Sequence, residues 1–287
     1  MYREIYEKIN NFLTPSKSKM IFYSIFSKLY KKQIEQFIEQ LEELLLRAKH
    51  THNYDECLDN LVYLLINEKE IEKCIYSLYQ SVLYYQSIKD VNKEFKTLNK
   101  ILEICQNNIN LPNINTIVVN CHKDIAYILE ENFELDEAVE HLHIAKSLIK
   151  KYEINKSVEL IEYQIACIYI TRNQFVVAAE YLYGIIFYKE DSIVYYKENQ
   201  IIMMYILTLL VKKDRIIDIR NRLKLITQKY LGFYETDEYV LIINIISCVE
   251  NRDNEHFIHE THRFVQKYKE DIFRYLFLTI KRNIEFI

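Results

Sequence analysis

The sequence predicts an all-α protein built from tetratricopeptide-like antiparallel helical hairpins, and three observations support this fold class. Only two glycines and two prolines occur in 287 residues, so the turn residues that a β-sheet protein needs repeatedly are missing. Apolar residues recur at three- and four-residue spacing almost throughout the chain, as they do on amphipathic helices. One helical segment also returns after forty residues, which is typical of repeat proteins.

The apolar spacing divides the chain into successive helices. One stripe is formed by Ile34, Ile38 and Leu41, and a later one by Ile219 and Leu223. The breaks between stripes are short and polar, as in helical hairpins with small turns. These breaks fall at 49–53, 67–70, 131–134, 171–173 and 212–214. We expect roughly twelve or thirteen helices.

The internal repeat aligns residues 126–142 with residues 166–182. Ala126 and Ala138 lie on either side of a turn, where small side chains let two helices approach closely. Ala166 and Ala178 occupy the same places one repeat later. Arrays of such hairpins present extended surfaces to partners, so this fold favours protein binding.

Composition excludes several other classes of protein. The net charge of −4 provides no basic field for nucleic acid, so we expect no nucleic-acid partner. The six cysteines are widely spaced without a C-x-x-C pair, as in reduced cytosolic proteins. No run reaches the roughly 18 apolar residues of a membrane-spanning helix, and the N-terminus lacks the apolar run of a signal peptide. We expect a soluble, cytoplasmic protein.

No catalytic motif is present, so we predict that the protein is not an enzyme. The sequence contains no phosphate-binding glycine loop, nucleophile elbow or H-E-x-x-H motif. His256, His259 and His262 cluster on one predicted helix, but an ordinary polar helix face is the more common explanation for such a cluster. We assign no catalytic residue, and we expect no cofactor and no metal.

An apolar run near the N-terminus follows the break at residues 14–16. Residues 20–26 are aromatic or aliphatic apart from Ser24, and lysines lie on both sides of them. Aromatic residues flanked by lysines suit the surface of an anionic membrane. The same pattern also fits the core stripe of a helix, and the residue pattern alone leaves both interpretations open.

A second segment, residues 212–224, has six basic residues against two acidic ones. On a helix and its leading turn, this charge could dock acidic partner helices. A solvated helical face is the alternative interpretation.

The ordered hairpins resemble those of the soluble NSF attachment protein family, of the alpha-SNAP type, in a divergent form. Residues 125–130 followed by 135–142 are similar to a central hairpin of that family, and residues 174–182 to the next. Residues 233–239 and 276–284 follow the order of the family's C-terminal bundle. The resemblance rests on the order and spacing of these motifs over most of the chain.

The resemblance implies a twisted sheet of helical hairpins over 1–230 and a C-terminal helical bundle over 231–287. It implies an adaptor that binds SNARE complexes and that recruits and stimulates an NSF-type AAA ATPase, which disassembles them. This disassembly would serve vesicle fusion and intracellular protein transport, such as transport between the ER and the Golgi. Several copies would surround one SNARE complex, peripheral on the cytosolic face of membranes. A loop at about 17–32 would contact the membrane through Met20, Ile21, Phe22, Tyr23, Ile25 and Phe26.

The basic positions of the family fall here on Asn120, Leu160 and Gln164, so other cations have to supply the SNARE contacts. The candidates are Lys123, Lys156, Arg215, Arg220, Arg222 and Lys224. The candidates for the edge that faces the ATPase are Glu250, Phe286 and Ile287, and the family's acidic tail is missing. The alternative hypothesis is a tetratricopeptide-type peptide-binding regulatory or scaffold protein.

Overall fold

The structure, a computed structural model, contains only helices and their connections among the residues it describes. These residues are 35–46 (without 37 and 44), 54–106, 114–154, 158–188, 197–267 and 271–285. Twelve α-helices and one short 3-10 helix occur in them, and the described part of 35–46 is also helical. No strand occurs in these ranges.

The helices follow one another with short connections. They are α1 (Tyr54–Asn67), α2 (Ile71–Ile88), α3 (Val91–Gln106), α4 (Asn115–Glu131), α5 (Leu135–Lys151), α6 (Val158–Thr171), α7 (Phe175–Phe187), α8 (Glu198–Val211), α9 (Ile216–Lys229), the 3-10 helix Phe233–Glu235, α10 (Asp237–Asn251), α11 (Asn254–Lys267) and α12 (Asp271–Glu285).

The left-handed residues that close the tight turns between these helices are not glycines. After α4, Phe133 adopts the left-handed conformation with φ 62°, its N–H donates to the Glu130 carbonyl, and the N–H of Glu134 donates to the Leu129 carbonyl at 2.8 Å. These two hydrogen bonds define a Schellman motif, which satisfies the last carbonyls of a helix. Other non-glycine residues with positive φ are Lys69, Lys89, Glu153, Asn173, Lys213 and Arg252.

The left-handed residues extend the repeat beyond the two copies found in the sequence. Phe133, Asn173 and Lys213 follow one another at forty-residue intervals, and Arg252 comes thirty-nine residues later. The alanines of the two aligned copies, at 126, 138, 166 and 178, are fully buried, as close helix packing requires. The prediction of an all-α, tetratricopeptide-like fold of antiparallel hairpins is confirmed.

Two compact units divide the chain between Ile128 and Leu129, within α4. The first unit buries apolar side chains of α1, α2 and α3, including Leu61, Leu65, Ile75 and Leu98. The predicted division at residues 230 and 231 stays a prediction. Among the described residues, no helix is both long enough and apolar enough to cross a membrane.

Helix α8 is the centre of the second unit. Every residue from Ile201 to Val211 is buried, because α7, α9, α10 and α12 all pack against this helix. One hydrophobic cluster extends from Tyr163 to Ile284 and so includes α6 and α12. A helix that is apolar all round is stable only when it is enclosed in this way.

Candidate partner-binding surfaces

The structure describes some of the predicted contact residues. The first unit contains Lys123, on α4, and the second contains Glu250, on α10, together with the basic segment around α9. The remaining predicted residues lie outside the described residues: Met20, Ile21, Phe22, Tyr23, Ile25, Phe26, Lys156, Phe286 and Ile287.

Helix α9 has one buried side and one outward side. Ile219, Leu223 and Ile226 are buried in the hydrophobic cluster of the second unit. The outward side carries Lys224, which is exposed, and Leu225, which is 53% exposed. The ammonium group of Lys224 makes no ion pair with any described residue, so it is available to an acidic partner.

Arg220 lies on one flank of α9, where it joins α10. Its Nη2 donates a 2.7 Å hydrogen bond to Oε2 of Glu250, and both side chains are about half exposed. This ion pair connects a predicted SNARE contact with a predicted ATPase-facing residue. An exposed pair of this kind contributes about 0.2–1 kcal/mol to the free energy of unfolding.

Arg222 points in another direction, towards α7 and α8. Its Nη1 donates a 2.9 Å hydrogen bond to the hydroxyl of Tyr205, and its guanidinium lies 5.4 Å from the centre of the Tyr183 ring. Burial raises the pKa of Tyr205 to about 12, although the charge of Arg222 opposes the shift. Arg222 is therefore engaged within the unit, and the six cations of the segment do not form one basic face.

Two of the three cations before α9, Lys212 and Arg215, are paired locally. The ammonium nitrogen of Lys212 lies 3.2 Å from Oδ2 of Asp214, and Nε of Arg215 donates a 2.7 Å hydrogen bond to Oδ2 of Asp218. Arg215 is nevertheless strongly exposed, with 81% of its side chain accessible. Its charge stays at the surface, where a partner carboxylate can replace Asp218 at small cost, because exposed pairs are weak.

Asn120 and Lys123 lie on the same helix of the first unit. The amide of Asn120 donates a 3.2 Å hydrogen bond to the hydroxyl of Tyr79, which joins α4 to α2. Lys123 is half buried, and its ammonium makes no ion pair with any described residue. At position 120, where the resemblance leads one to expect a cation, this chain has a neutral hydrogen bond between helices.

The other two positions at which the resemblance leads one to expect a cation, 160 and 164, are also occupied by groups that pack against neighbouring helices. Gln164 on α6 donates a 3.4 Å hydrogen bond to Oε2 of Glu130 on α4, and Leu160 packs against the hydrophobic cluster. Burial raises the pKa of Glu130, and the hydrogen bond from Gln164 counteracts part of this shift.

A row of aromatic and basic side chains that no sequence pattern predicted crosses α5, α6 and α7. Tyr181 stacks on Tyr169 with 5.8 Å between ring centres, and the ammonium of Lys146 lies 5.6 Å from the Tyr181 ring. The guanidinium carbon of Arg172 lies 6.0 Å from the centre of the Tyr169 ring. Lys146 also pairs with Glu162 at 2.8 Å. The side chains of the row come from three separate helices and from the turn that follows α6, so no sequence spacing indicated it.

Comparison with known proteins gives one family match. The model of the soluble NSF attachment protein (SNAP) family matches residues 116–285, from α4 to the end of α12. No curated protein gives a significant match. Among solved structures, the chain is similar to BtubC (BKLC) from P. vanneervenii, with 13% sequence identity and a TM-score of 0.42 over 70% of this chain and 91% of that chain.

Proposed function

Because the chain belongs to the soluble NSF attachment protein family, we propose that it is an adaptor that binds SNARE complexes and recruits an NSF-type AAA ATPase. Several copies surround one SNARE complex, and the ATPase that they recruit and stimulate separates the SNARE helices. The hydrolysis of ATP belongs to the ATPase, and the adaptor acts by binding. The adaptor works at the cytosolic face of membranes in vesicle fusion and protein transport.

The single observation that carries this proposal is the family match over residues 116–285. The matched segment includes residues 215–224 and Glu250, so all six described contact candidates lie within the part of the chain that the family model covers. Lys123 lies within it as well.

The four SNARE-contact candidates between residues 215 and 224 fall into two groups according to their contacts. Lys224 and Arg215 are exposed, and a partner can reach them without breaking a contact between helices. Arg220 and Arg222 hold α9 to its neighbours through Glu250 and Tyr205. We assign direct binding to the first group and support of the surface to the second.

Lys224→Glu is expected to weaken binding to a SNARE four-helix bundle by about threefold to tenfold, because it reverses an exposed, unpaired charge opposite an acidic partner. The loss should be greatest at low salt and should affect mainly the association rate. The affinity and the association rate can both be measured by surface plasmon resonance, with the bundle immobilised and at several salt concentrations.

Arg274→Glu is the matched control, because it changes the net charge by the same amount on α12, where Arg274 is about half exposed. Equal losses for the two variants would show that only the overall charge matters and would contradict the assignment of Lys224. If the unmodified chain fails to bind the bundle even at low salt, the SNARE-adaptor proposal itself is wrong. Retained binding to an extended peptide would then favour the tetratricopeptide-type regulator.

A further inference from the structure

Two histidines and a glutamate of α11 form a compact group of potential metal ligands on the surface. A nitrogen of His256, a nitrogen of His259 and a carboxylate oxygen of Glu260 all lie within 4.8 Å of one another. Glu260 follows His256 by four residues and so lies one helical turn away, on the same face. His262, the third histidine of this helix, is not part of the group.

The carboxylate of Glu260 is held in place from the neighbouring helix. The amide of Asn244 on α10 donates a 2.8 Å hydrogen bond to Oε2 of Glu260, and the other oxygen, Oε1, lies 3.4 Å from Nδ1 of His259. Hydrogen bonds of this kind orient metal-binding carboxylates and increase metal affinity. The hydrogen bond from Asn244 also lowers the pKa of Glu260.

The backbone beneath the histidines is fixed as well. Asp253 caps the start of α11, because its Oδ1 accepts a 3.0 Å hydrogen bond from the backbone N–H of His256. The two imidazole rings lie nearly parallel, with 6.4 Å between their centres. Both histidines are exposed, so their side chains can rotate towards a shared ion without disturbing the core.

From this geometry we propose that His256, His259 and Glu260 bind a divalent transition-metal ion of the Zn²⁺ class at the surface of α11. Two imidazole nitrogens and one carboxylate oxygen are a usual ligand set for zinc, with a fourth position left for water or for a donor from a partner. Tetrahedral ligands about 2.0–2.2 Å from zinc lie about 3.3–3.6 Å apart, so small side-chain rotations complete the site. The group contains Glu260 rather than His262, whereas the expectation from the sequence was an ordinary polar helix face for the three histidines and no metal.

The cysteines are weaker competitors for the ion in the folded chain. All six are free thiols, five of them are buried, and burial raises the pKa of Cys74, Cys105 and Cys248 to about 11. A thiol has to lose its proton before it can bind zinc, so thiols with a raised pKa bind zinc less readily.

Isothermal titration calorimetry of the full chain with Zn²⁺ tests the proposal. We expect one saturable site, which is lost in His259→Ala and in Glu260→Gln, whereas Asn244→Ala keeps the ligands and weakens binding by about tenfold to a hundredfold. His262→Ala, on the same helix but outside the group, should bind as the unmodified chain does. Far-UV circular dichroism verifies that each variant is folded.

Substitution of Co²⁺ for Zn²⁺ identifies the ligand type, and a spectrum without thiolate charge-transfer bands is expected. Three results would each overturn the proposal. These are the absence of saturable binding, equal losses in His262→Ala and His259→Ala, and unchanged binding in the variant that carries both His259→Ala and Glu260→Gln.

Discussion

Leu207→Asp is expected to unfold the second unit of the chain. Leu207 is fully buried at the middle of α8, where four other helices enclose it. The substitution removes apolar contacts and places a carboxylate among the apolar side chains of the hydrophobic cluster. The expected cost is about 5 kcal/mol or more, which is comparable with the whole stability of a typical domain. Urea unfolding followed by far-UV circular dichroism measures it.

Leu278→Asp is the matched control, because Leu278 on α12 is 56% exposed and an aspartate there stays in contact with water. Its expected effect is within about 0.5 kcal/mol of the unmodified chain. Similar unfolding midpoints for Leu207→Asp and the unmodified chain would show that α8 is not enclosed as described.

The second large effect concerns the proposed membrane loop. Phe22→Ser together with Phe26→Ser should reduce binding to vesicles of phosphatidylcholine and phosphatidylserine by about a hundredfold or more. Two phenylalanine side chains contribute about 3–6 kcal/mol when they leave water for the membrane interface. Vesicle flotation measures the bound fraction, and the lysines on both sides predict weaker binding to vesicles without anionic lipid.

Phe133→Ser provides the comparison for the flotation experiment. Phe133 is 80% exposed in the turn between α4 and α5, and it lies outside the proposed loop. Its replacement should leave flotation unchanged. If the Phe22 and Phe26 variant floats as the unmodified chain does, these residues belong to a helix core, which was the other interpretation of the apolar run.

Much of the fold could be predicted because it depends on local patterns. The three- and four-residue spacing of apolar side chains fixes which face of each helix is buried, and the polar breaks at 131–134 and 171–173 coincide with the turns at Phe133 and Asn173. The break at 212–214 likewise coincides with the turn at Lys213, whereas none of the predicted breaks corresponds to the turn at Arg252. At Arg252 the repeat is visible in the backbone conformation rather than in an aligned sequence segment.

The side-chain partners could not be predicted, because they depend on which helices lie beside one another. Arg220 and Arg222 are two residues apart on one helix, so they point in different directions and contact α10 and α8 respectively. The sequence alone shows them as one basic segment. In the same way, only packing of α10 against α11 brings Asn244 to Glu260 and orients that carboxylate towards His259.

The adaptor proposal is tested most directly by a reconstituted disassembly assay. A fluorescently labelled SNARE bundle is incubated with an NSF-type ATPase, ATP and this chain, and separation of the helices is followed over time. We expect separation that requires both the chain and hydrolysable ATP, and a slower rate with Lys224→Glu. The ATPase is first shown to be active with another member of the family. If the bundle then stays intact at saturating concentrations of this chain, the proposed function is contradicted.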